Sequence, residues 1–454
     1  MKKIHRLTAV ICMITLILTV LTGCGSSTSS STTNSSQSSE TSGMPPSSGT
    51  GGGPGGPPPG GGSTTVTTGI GAYSLKDGDA LNSGTYASTK ADENAIRAEG
   101  SIKASLNGVI VNKSAGAASS SDASSFYGLN SAILALNGAT LDIKGGTVTA
   151  SAEGANGVFA YDNATINITG TTINVSGGNA GGIEVAGGGK ITAKDLTVNS
   201  TVKAAIRSDR GGGTMIVDGG TYTTSGSSGA PAIYSTAAIT VNNSKLTAND
   251  SEAIVVEGYN SVTLNNCTVT GNMKGTYSKS SNENIHNVML YQSMSGDAKV
   301  GNSSFTMTGG SLVSKSGDMF YVTNTSSTIS LSSVNLTPAA GTKLLLVAGN
   351  DASRGWGKAG SNGGKCTFKI SGQTLNGDIT VDSISTLDMN ITGSSMFSGS
   401  INSDGTKASA LSVTLDSSSK WVLTADCYVT AFNGSLSNIE TNGHKLYVNG
   451  KAIN

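Results

Sequence analysis

The chain has 454 residues, a formal net charge of zero at pH 7 and only 12% charged residues. This balance excludes a basic surface for nucleic acid and an electrostatic attachment to acidic lipid headgroups. The 63 glycines are about twice the usual share and aromatic residues make up only 5%, which favours an all-β chain with many tight turns and few helices.

The N-terminus has the features of a bacterial targeting segment. The first six residues, MKKIHR, are positively charged, and the apolar stretch 7–21 is too short for a comfortable transmembrane span. It runs into Leu-Thr-Gly-Cys at 21–24, which resembles a lipobox. The resemblance implies that residues 1–23 are a lipoprotein signal peptide and that Cys24 carries lipid on the outer face of the cell membrane. The alternative is an ordinary cleaved signal peptide with a chance cysteine.

Residues 24–65 are predicted to be a linker. They are nearly all Ser, Thr, Gly and Pro, they include GTGGGPGGPPPGGG at 49–62, and they hold six of the eight prolines. Such a composition cannot bury enough apolar area to offset the entropy lost on ordering. We therefore expect a flexible tether that holds a folded domain away from the membrane.

A repeated strand-turn-strand phrase organises the chain from about residue 66. The phrase TLDIKGGTVTA at 140–150 returns as TINITGTTINV, TMIVDGGTYTT and SFTMTGGSLVS. Alternating apolar residues predict a strand with one buried face, and the Gly or Asn pair that follows accepts the positive φ of a turn. The first apolar residues of the copies recur at intervals of 23–25 residues, with one interval of 43: Leu141, Ile166, Ile191, Met215, Ile239, Val262, Phe305 and Ile329.

A second strand series lies between these phrases and has the same period. Its central apolar residues are Ile96, Ile133, Val158, Ile183, Ile206, Ile233 and Ile254. Two series locked to one period predict a parallel β-helix with coils of about 24 residues, in which each coil stacks on the next. Crossovers between parallel strands are almost always right-handed, so we expect a right-handed coil.

The repeat places the β-helix at 66–350, with insertions at 115–130 and 271–304, where the rhythm is interrupted. Residues 349–364 are predicted to form a loop, and the C-terminal coils then occupy 351–454. A cap for the open end of the core is predicted from Trp421, Leu423, Tyr428, Val429 and Leu446.

The coils from about residue 90 onwards resemble the pectin-lyase-like β-helix superfamily, especially lipid-anchored bacterial surface proteins, and the last coils resemble those of adhesins and autotransporter passengers. The resemblance implies the fold but leaves the activity open, because this scaffold carries lyases, hydrolases, adhesins and inert spacers. The Asp-x-x-Asp-His block of pectate lyases and the polygalacturonase signatures do not occur in the sequence.

Candidate ligand-binding residues come from the second strand series, where the residue after each buried apolar residue is predicted to point outward. This outward column reads Arg97, Leu134, Phe159, Glu184, Arg207, Tyr234 and Val255. Asp209 and Glu257 occupy a neighbouring column, Arg210 lies on a glycine-rich corner, and His286 lies in the second insertion. Aromatic rings beside charged groups suit a sugar polymer. The predicted ligand-binding residues are Phe159, Glu184, Arg207, Asp209, Arg210, Tyr234, Glu257 and His286.

Three functions remain open. The leading one is a non-catalytic adhesin or carbohydrate-binding module, whose partner is a polysaccharide or a cell-surface glycan. The second is a polysaccharide lyase or hydrolase, with Lys274, His286 or Arg207 as the base. The third is a structural spacer, in which the outward residues are solvated and Glu184 and Arg207 form a weak surface ion pair.

Neither metals nor cofactors are expected. The sequence has no C-x-x-C spacing and no Asp-x-Asp-x-Asp-Gly calcium loop. The cysteines after the predicted anchor are far apart and odd in number, and we expect them to be small buried thiols: Cys267, Cys366 and Cys427.

Overall fold

The computed structural model of the chain describes residues 66–276 and 284–454. The predicted signal peptide, Cys24 and the predicted linker lie outside these residues. The described chain is a parallel β-helix, because neighbouring strands within each long sheet come from successive coils. The predicted fold class is confirmed.

Sheet 1 contains twelve parallel strands in the described part of the chain. Its strands are Ile70–Ser74, Glu93–Glu99, Ile133–Leu136, Val158–Tyr161, Ile183–Ala186, Ile206–Ser208, Ile233–Ser235, Ile254–Glu257, His286–Tyr291, Asp318–Thr323, Leu345–Val347 and Ile379–Val381. Each of them belongs to a different coil, so this sheet runs along most of the β-helix.

Within residues 66–276 and 284–454, sheet 2 contains fourteen strands and sheet 3 contains ten. The strands of sheet 2 are Ala80–Asn82, Lys103–Asn107, Thr140–Lys144, Thr165–Thr169, Gly189–Lys194, Gly213–Asp218, Ala238–Asn242, Ser261–Asn265, Asn302–Thr308, Ser326–Ser332, Lys365–Ser371, Thr386–Thr392, Ala410–Leu415 and Ala431–Asn433. Those of sheet 3 are Thr85–Ser88, Ile110–Lys113, Thr147–Ala150, Thr172–Val175, Thr197–Ser200, Thr221–Ser227, Lys245–Asp250, Thr268–Gly271, Ser311–Ser314 and Asn335–Thr337.

Two smaller sheets complete the C-terminal coils. Sheet 4 comprises Thr374–Asn376, Met396–Ser398, Lys420–Val422 and Ile439–Glu440, and sheet 5 comprises Cys427–Val429, Leu446–Val448 and Lys451–Ala452. Trp421 is buried in the core against Phe397, with ring centroids 5.9 Å apart. The last pair of strands is antiparallel, so the chain folds back over its final coil.

The register confirms both predicted series residue by residue. In sheet 2, Ile166 pairs with Leu141 on one side and with Ile191 on the other. In sheet 1, Val158 pairs in the same way with Ile133 and Ile183. These side chains are buried, and strands stack about 4.8 Å apart. Like residues therefore form continuous apolar columns inside the coil. The three cysteines predicted to be thiols are free and buried.

The glycine pair of the repeated phrase turns the corner between sheets 2 and 3. Gly145 and Gly146 have φ values of 62° and 77°, which lie in the left-handed region that glycine adopts at low cost. A Cβ on Gly146 would also lie 2.2 Å from the carbonyl oxygen of Val109 in the previous coil. Both the backbone angle and the space therefore require glycine at this corner.

Residues 115–130 and 292–301, which belong to the two predicted insertions, lie over the outer face of sheet 1; residues 277–283 of the second insertion lie outside the described residues. The first contains helix α1, Ser121–Tyr127, which Ser120 caps at its N-terminus and Gly128 at its C-terminus. The segment 271–304 contains a sheet strand, His286–Tyr291, so His286 begins a strand instead of lying in an insertion. The part that leaves the coil after this strand is 292–301.

We call residues 115–130, 292–301 and 349–364 the covering layer. The third of these segments is the predicted glycine-rich loop, and its Trp356 ring lies 5.0 Å from that of Tyr291 in sheet 1. Within residues 66–276 and 284–454, no helix has the length and apolarity needed to cross a bilayer.

Candidate ligand face

The predicted outward column exists as a ladder in sheet 1. Glu184 pairs with Phe159 on one side and with Arg207 on the other. Arg207 pairs in turn with Tyr234, and Tyr234 with Val255. These side chains lie outside the main core cluster. Tyr234 and Val255 pack in a cluster with Trp356 of the covering layer, and Phe159 belongs to a separate cluster of sheet 1 residues.

The covering layer buries most of this column. Six of the eight predicted ligand-binding residues are at most 3% exposed: Phe159, Glu184, Arg207, Asp209, Glu257 and His286. Tyr234 is half-buried, and the Arg210 side chain is 42% exposed. The prediction of a solvated face is therefore wrong for these six residues, and the ion pair of Glu184 and Arg207 is buried. The reason is that irregular segments, which the repeat does not specify, pack over the sheet.

A charged cluster forms the centre of the buried face. The Arg207 guanidinium donates from Nη2 to Asp209 Oδ2 at 2.6 Å and to Ser125 Oγ of α1 at 3.2 Å. Its Nε lies 3.4 Å from Glu184 Oε1, which is an ion-pair distance without hydrogen-bond geometry. Lys203 is also buried, and it interacts electrostatically with Arg207, Asp209 and Glu184. Two basic and two acidic side chains thus share a buried site, where the charge of each depends on the others.

Burial dominates the protonation of this cluster. It raises the pKa of Glu184 to about 8, with Arg207 opposing the shift and Asp209 adding to it. Burial also raises the pKa of Asp209 and lowers that of Lys203. For Arg207, burial alone would lower the pKa, but Glu184 and Asp209 raise it above its ordinary value. The guanidinium therefore remains the fixed charge around which the other three groups adjust.

Glu257 is held in a different way, by hydroxyl groups. Its Oε2 accepts from the Tyr234 hydroxyl at 2.5 Å and from the Tyr291 hydroxyl at 2.8 Å. Its Oε1 accepts from Ser293 of the covering layer. Burial raises the pKa of Glu257, and the three hydrogen bonds oppose the shift. This carboxyl therefore links sheet 1 to segment 292–301.

Arg210 joins two segments of the covering layer. Its guanidinium lies 4.0 Å from the centroid of the Phe126 ring in α1. It also donates from Nε at 2.9 Å and from Nη2 at 2.5 Å to Asp297 Oδ1 in segment 292–301. Sequence reasoning found Arg210 but missed Ser125 and Asp297, because both belong to segments without the repeat. It also missed Lys203, which lies in the turn between Thr197–Ser200 and Ile206–Ser208.

His286 lies apart from the charged cluster. His286 pairs in register with Asp318. It lies three residues before Met289, which pairs with Val255 and continues the outward column. Its Nδ1 lies 2.8 Å from the carbonyl oxygen of Asn284. Burial lowers the pKa of His286, and the charges of Glu252 and Asp318 oppose this shift. The structure therefore does not bring His286 together with Arg207.

An open hollow of about 400 Å³ lies beside the point where segment 292–301 rejoins sheet 2. Tyr259 forms one wall and is 64% exposed. A Cβ on Gly301 would lie 2.7 Å from Cδ2 of this tyrosine, so the side chain packs directly on the backbone. Lys299 Nζ lies 5.8 Å from the ring centroid. The residues that line the hollow are Ala237, Ala238, Tyr259, Asn260, Ser261, Asn302 and Ser304.

The polar groups of the hollow are held in place by their neighbours. Asn260 donates from Nδ2 to the carbonyl oxygen of Glu257 at 2.6 Å. Asn302 donates from Nδ2 to Thr328 Oγ1 at 3.2 Å and to Ser304 Oγ at 3.3 Å. The hollow thus combines a positioned aromatic ring, two amides, hydroxyls and a nearby cation. Sequence reasoning missed it, because Tyr259 and Lys299 lie outside both strand series.

Comparisons of the chain with protein-family models, with curated proteins and with solved structures find no match. The similarity to the pectin-lyase-like superfamily stays a prediction, and the fold itself is that of a parallel β-helix. No group of three or more His, Cys, Asp or Glu side chains within residues 66–276 and 284–454 could hold a metal ion. Any function must therefore be argued from the faces of the coil.

Proposed function

We propose that the protein is a non-catalytic, lipid-anchored surface protein that binds an extracellular polysaccharide or a cell-surface glycan. The observation that carries this proposal is the open hollow beside Tyr259, where an exposed and positioned aromatic ring meets amide and hydroxyl groups. The binding site predicted from the sequence, around Arg207, is covered. The proposal therefore moves the ligand to the outer face of sheet 2.

The chemistry of the hollow suits a sugar ring. Sugars present one apolar face and a rim of hydroxyls, so that an aromatic ring beside amides and hydroxyls contacts both. Tyr259 supplies the ring, and Asn260, Ser261 and Asn302 supply the polar groups. Lys299 places an exposed ammonium group at the same wall, which favours an acidic sugar or one with many acceptor oxygens.

Binding is favoured over catalysis by the state of the candidate bases. A catalytic base must come within hydrogen-bond distance of the proton that it removes. Arg207 and His286 are buried, and Lys274, which is exposed, forms an ion pair with Asp250. None of these three groups lines the hollow, so the lyase alternative has no specific support at this site.

The test uses the full chain with Cys24→Ala, which removes the predicted lipid, on an array of polysaccharides and glycans. We expect Tyr259→Ala to weaken binding about tenfold, which corresponds to about 1.4 kcal/mol. Tyr447→Ala in the last coil is the matched control and should bind as well as the parent. Binding by the Tyr259 variant at full strength, or release of unsaturated uronate, would contradict the proposal.

The anchor has a separate test. In the bacterial host, we expect the chain with Cys24 to enter the membrane fraction and to incorporate labelled palmitate. The Cys24→Ala chain should leave the membrane fraction and incorporate no label. Equal membrane association of both chains would refute the anchor without bearing on the glycan.

A further inference from the structure

The two ends of the β-helix differ in how they stop. At the C-terminal end, Lys451–Ala452 folds back antiparallel on Leu446–Val448. At the other end, the first coil contributes Ile70–Ser74, Ala80–Asn82 and Thr85–Ser88, one strand to each long sheet. Each of these three strands pairs with a strand of the second coil. Within the described residues, no strand pairs with the opposite edge of any of the three. Such an edge is a template for another strand.

The apolar core also reaches this end. The inward positions of the first coil are Tyr73, Leu81 and Tyr86, which pair with the buried residues Ile96, Leu106 and Val111. The Tyr73 and Tyr86 rings pack edge to face, with centroids 5.1 Å apart. Tyr73 is nevertheless 39% exposed and Ile70 is 63% exposed. The core columns thus end in an apolar surface, which in soluble proteins marks an interaction site.

Residues 25–65, which lie between the predicted lipidation site and the first coil, have the wrong composition to cover this surface. Residues 25–65 contain one large apolar side chain, Met44, and six prolines. Proline cannot donate to a strand ladder, and glycine weakens a strand. This segment therefore lacks the side chains that would continue the apolar columns of Tyr73 and Leu81.

We infer that a second copy of the chain covers this end, so that two β-helices meet head to head through their first coils. A second copy carries the same unpaired edge and the same apolar surface, and a two-fold axis makes one patch complementary to itself. Where the axis is perpendicular to a first-coil strand, that strand and its mate run antiparallel, which is the more favourable pairing. Residues 66–92 hold two lysines and three aspartates, so charge repulsion between the copies is small.

The first experiment measures the mass of the full chain, carrying Cys24→Ala, by sedimentation velocity over a range of concentrations. We expect twice the mass of a single chain. Ile70→Lys places a charge on the first strand of the first coil, close to the same lysine of the second copy, and should weaken association at least tenfold. The matched control is Ile216→Lys, because Ile216 is also exposed (46%) but lies on the outer face of sheet 2; it should remain a dimer.

The second experiment identifies which ends of the two β-helices meet, and it does not depend on the Ile70→Lys variant. Ser83 is an exposed turn residue of the first coil, and Ser437 is an exposed residue near the C-terminal end. We expect Ser83→Cys chains to form an intermolecular disulfide under mild oxidation. Ser437→Cys chains should form no intermolecular disulfide. The inference is overturned if the parent has the mass of one chain at every concentration, if both lysine variants dissociate equally, or if Ser437→Cys crosslinks instead.

Discussion

The outer faces of sheets 1 and 3 belong to the same coils but have opposite environments. Sheet 3 presents rows of threonine and asparagine, such as the ladder in which Asn199 donates from Nδ2 to Asn174 Oδ1 at 3.0 Å. Sheet 1 presents Glu184 and Arg207 in the same kind of register, yet both are buried. An outward position in a β-helix therefore gives the direction of a side chain, and the segments packed over the sheet decide whether it meets water.

The difference has energetic consequences. An exposed polar ladder exchanges bonds with water for bonds with its neighbour, so each member contributes little. A buried charge loses its hydration and depends on its partners. The stability of the sheet 1 face should thus be sensitive to single substitutions, whereas the sheet 3 face should tolerate them.

Removing the central cation should have the largest effect. Arg207→Leu leaves the carboxyls of Glu184 and Asp209 in a buried site with Lys203 alone, and loss of one partner of a buried ion pair costs about 3–5 kcal/mol. Denaturant titration should show this fall in the free energy of unfolding. Lys190→Ala on the exposed outer face of sheet 2 is the control and should change it by less than about 0.5 kcal/mol. Equal effects of the two variants would mean that the covered face of sheet 1 is no more sensitive to substitution than an exposed face of the coil.

The link between α1 and segment 292–301 should have an intermediate effect. Asp297→Asn removes the charge from the acceptor of Arg210. A hydrogen bond to a charged group contributes about 1.5–3 kcal/mol. Because Arg210 is 42% exposed, we expect the free energy of unfolding to fall by about 1–2 kcal/mol. Hydrogen exchange should become faster at the amides of Ser121–Tyr127. Lys420→Ala, which breaks an exposed ion pair with Glu440, should leave these amides unchanged.

The pH dependence of stability reports on Glu184. Because burial raises its pKa from 4.5 to about 8, the folded chain retains a proton that the unfolded chain releases between these values. The resulting penalty is absent below about pH 4.5, grows as the pH rises, and is complete above about pH 8. Lys203, whose pKa is lowered, acts in the opposite sense. The difference between the parent and Glu184→Gln therefore isolates the carboxyl.

We expect this difference to change steadily in favour of the glutamine variant from about pH 5 to about pH 8. The measurement is the denaturant midpoint of both chains at each pH. A difference that stays constant over this interval would mean that Glu184 is already ionised in the folded chain. As a control, Asn174→Asp introduces a carboxyl into sheet 3. The difference between this variant and the parent should show no such trend, since the side chain at position 174 is not fully buried.

The smallest effect is expected on the exposed ladder. Asn199→Ala removes one amide from the row in sheet 3 and should change the free energy of unfolding by less than about 0.5 kcal/mol. The same denaturant titration checks this. A loss comparable to that of Arg207→Leu would show that the exposed rows, and not the covered face, stabilise the coil.

Much of the fold was predictable because each coil repeats the same physical requirement. An inward position must be apolar in every coil, so that Ile166 predicts Ile191 and both appear in the periodicity of the sequence. The candidate face was predictable only in part. The register of Glu184, Arg207 and Tyr234 follows from the same period, but their burial depends on α1, whose few apolar residues show no period.

By itself, the amino-acid sequence determined the coil, its corners and the direction in which each repeated side chain points. Periodic apolar residues and glycines that accept positive φ act locally, within one coil and its neighbour. The tertiary structure alone decided which outward residues are buried. Phe126, Asp297 and Trp356 come from three distant segments, and the covering of sheet 1 depends on where those segments pack. It also decided that the open aromatic surface lies at Tyr259, beside the segment that covers Glu257.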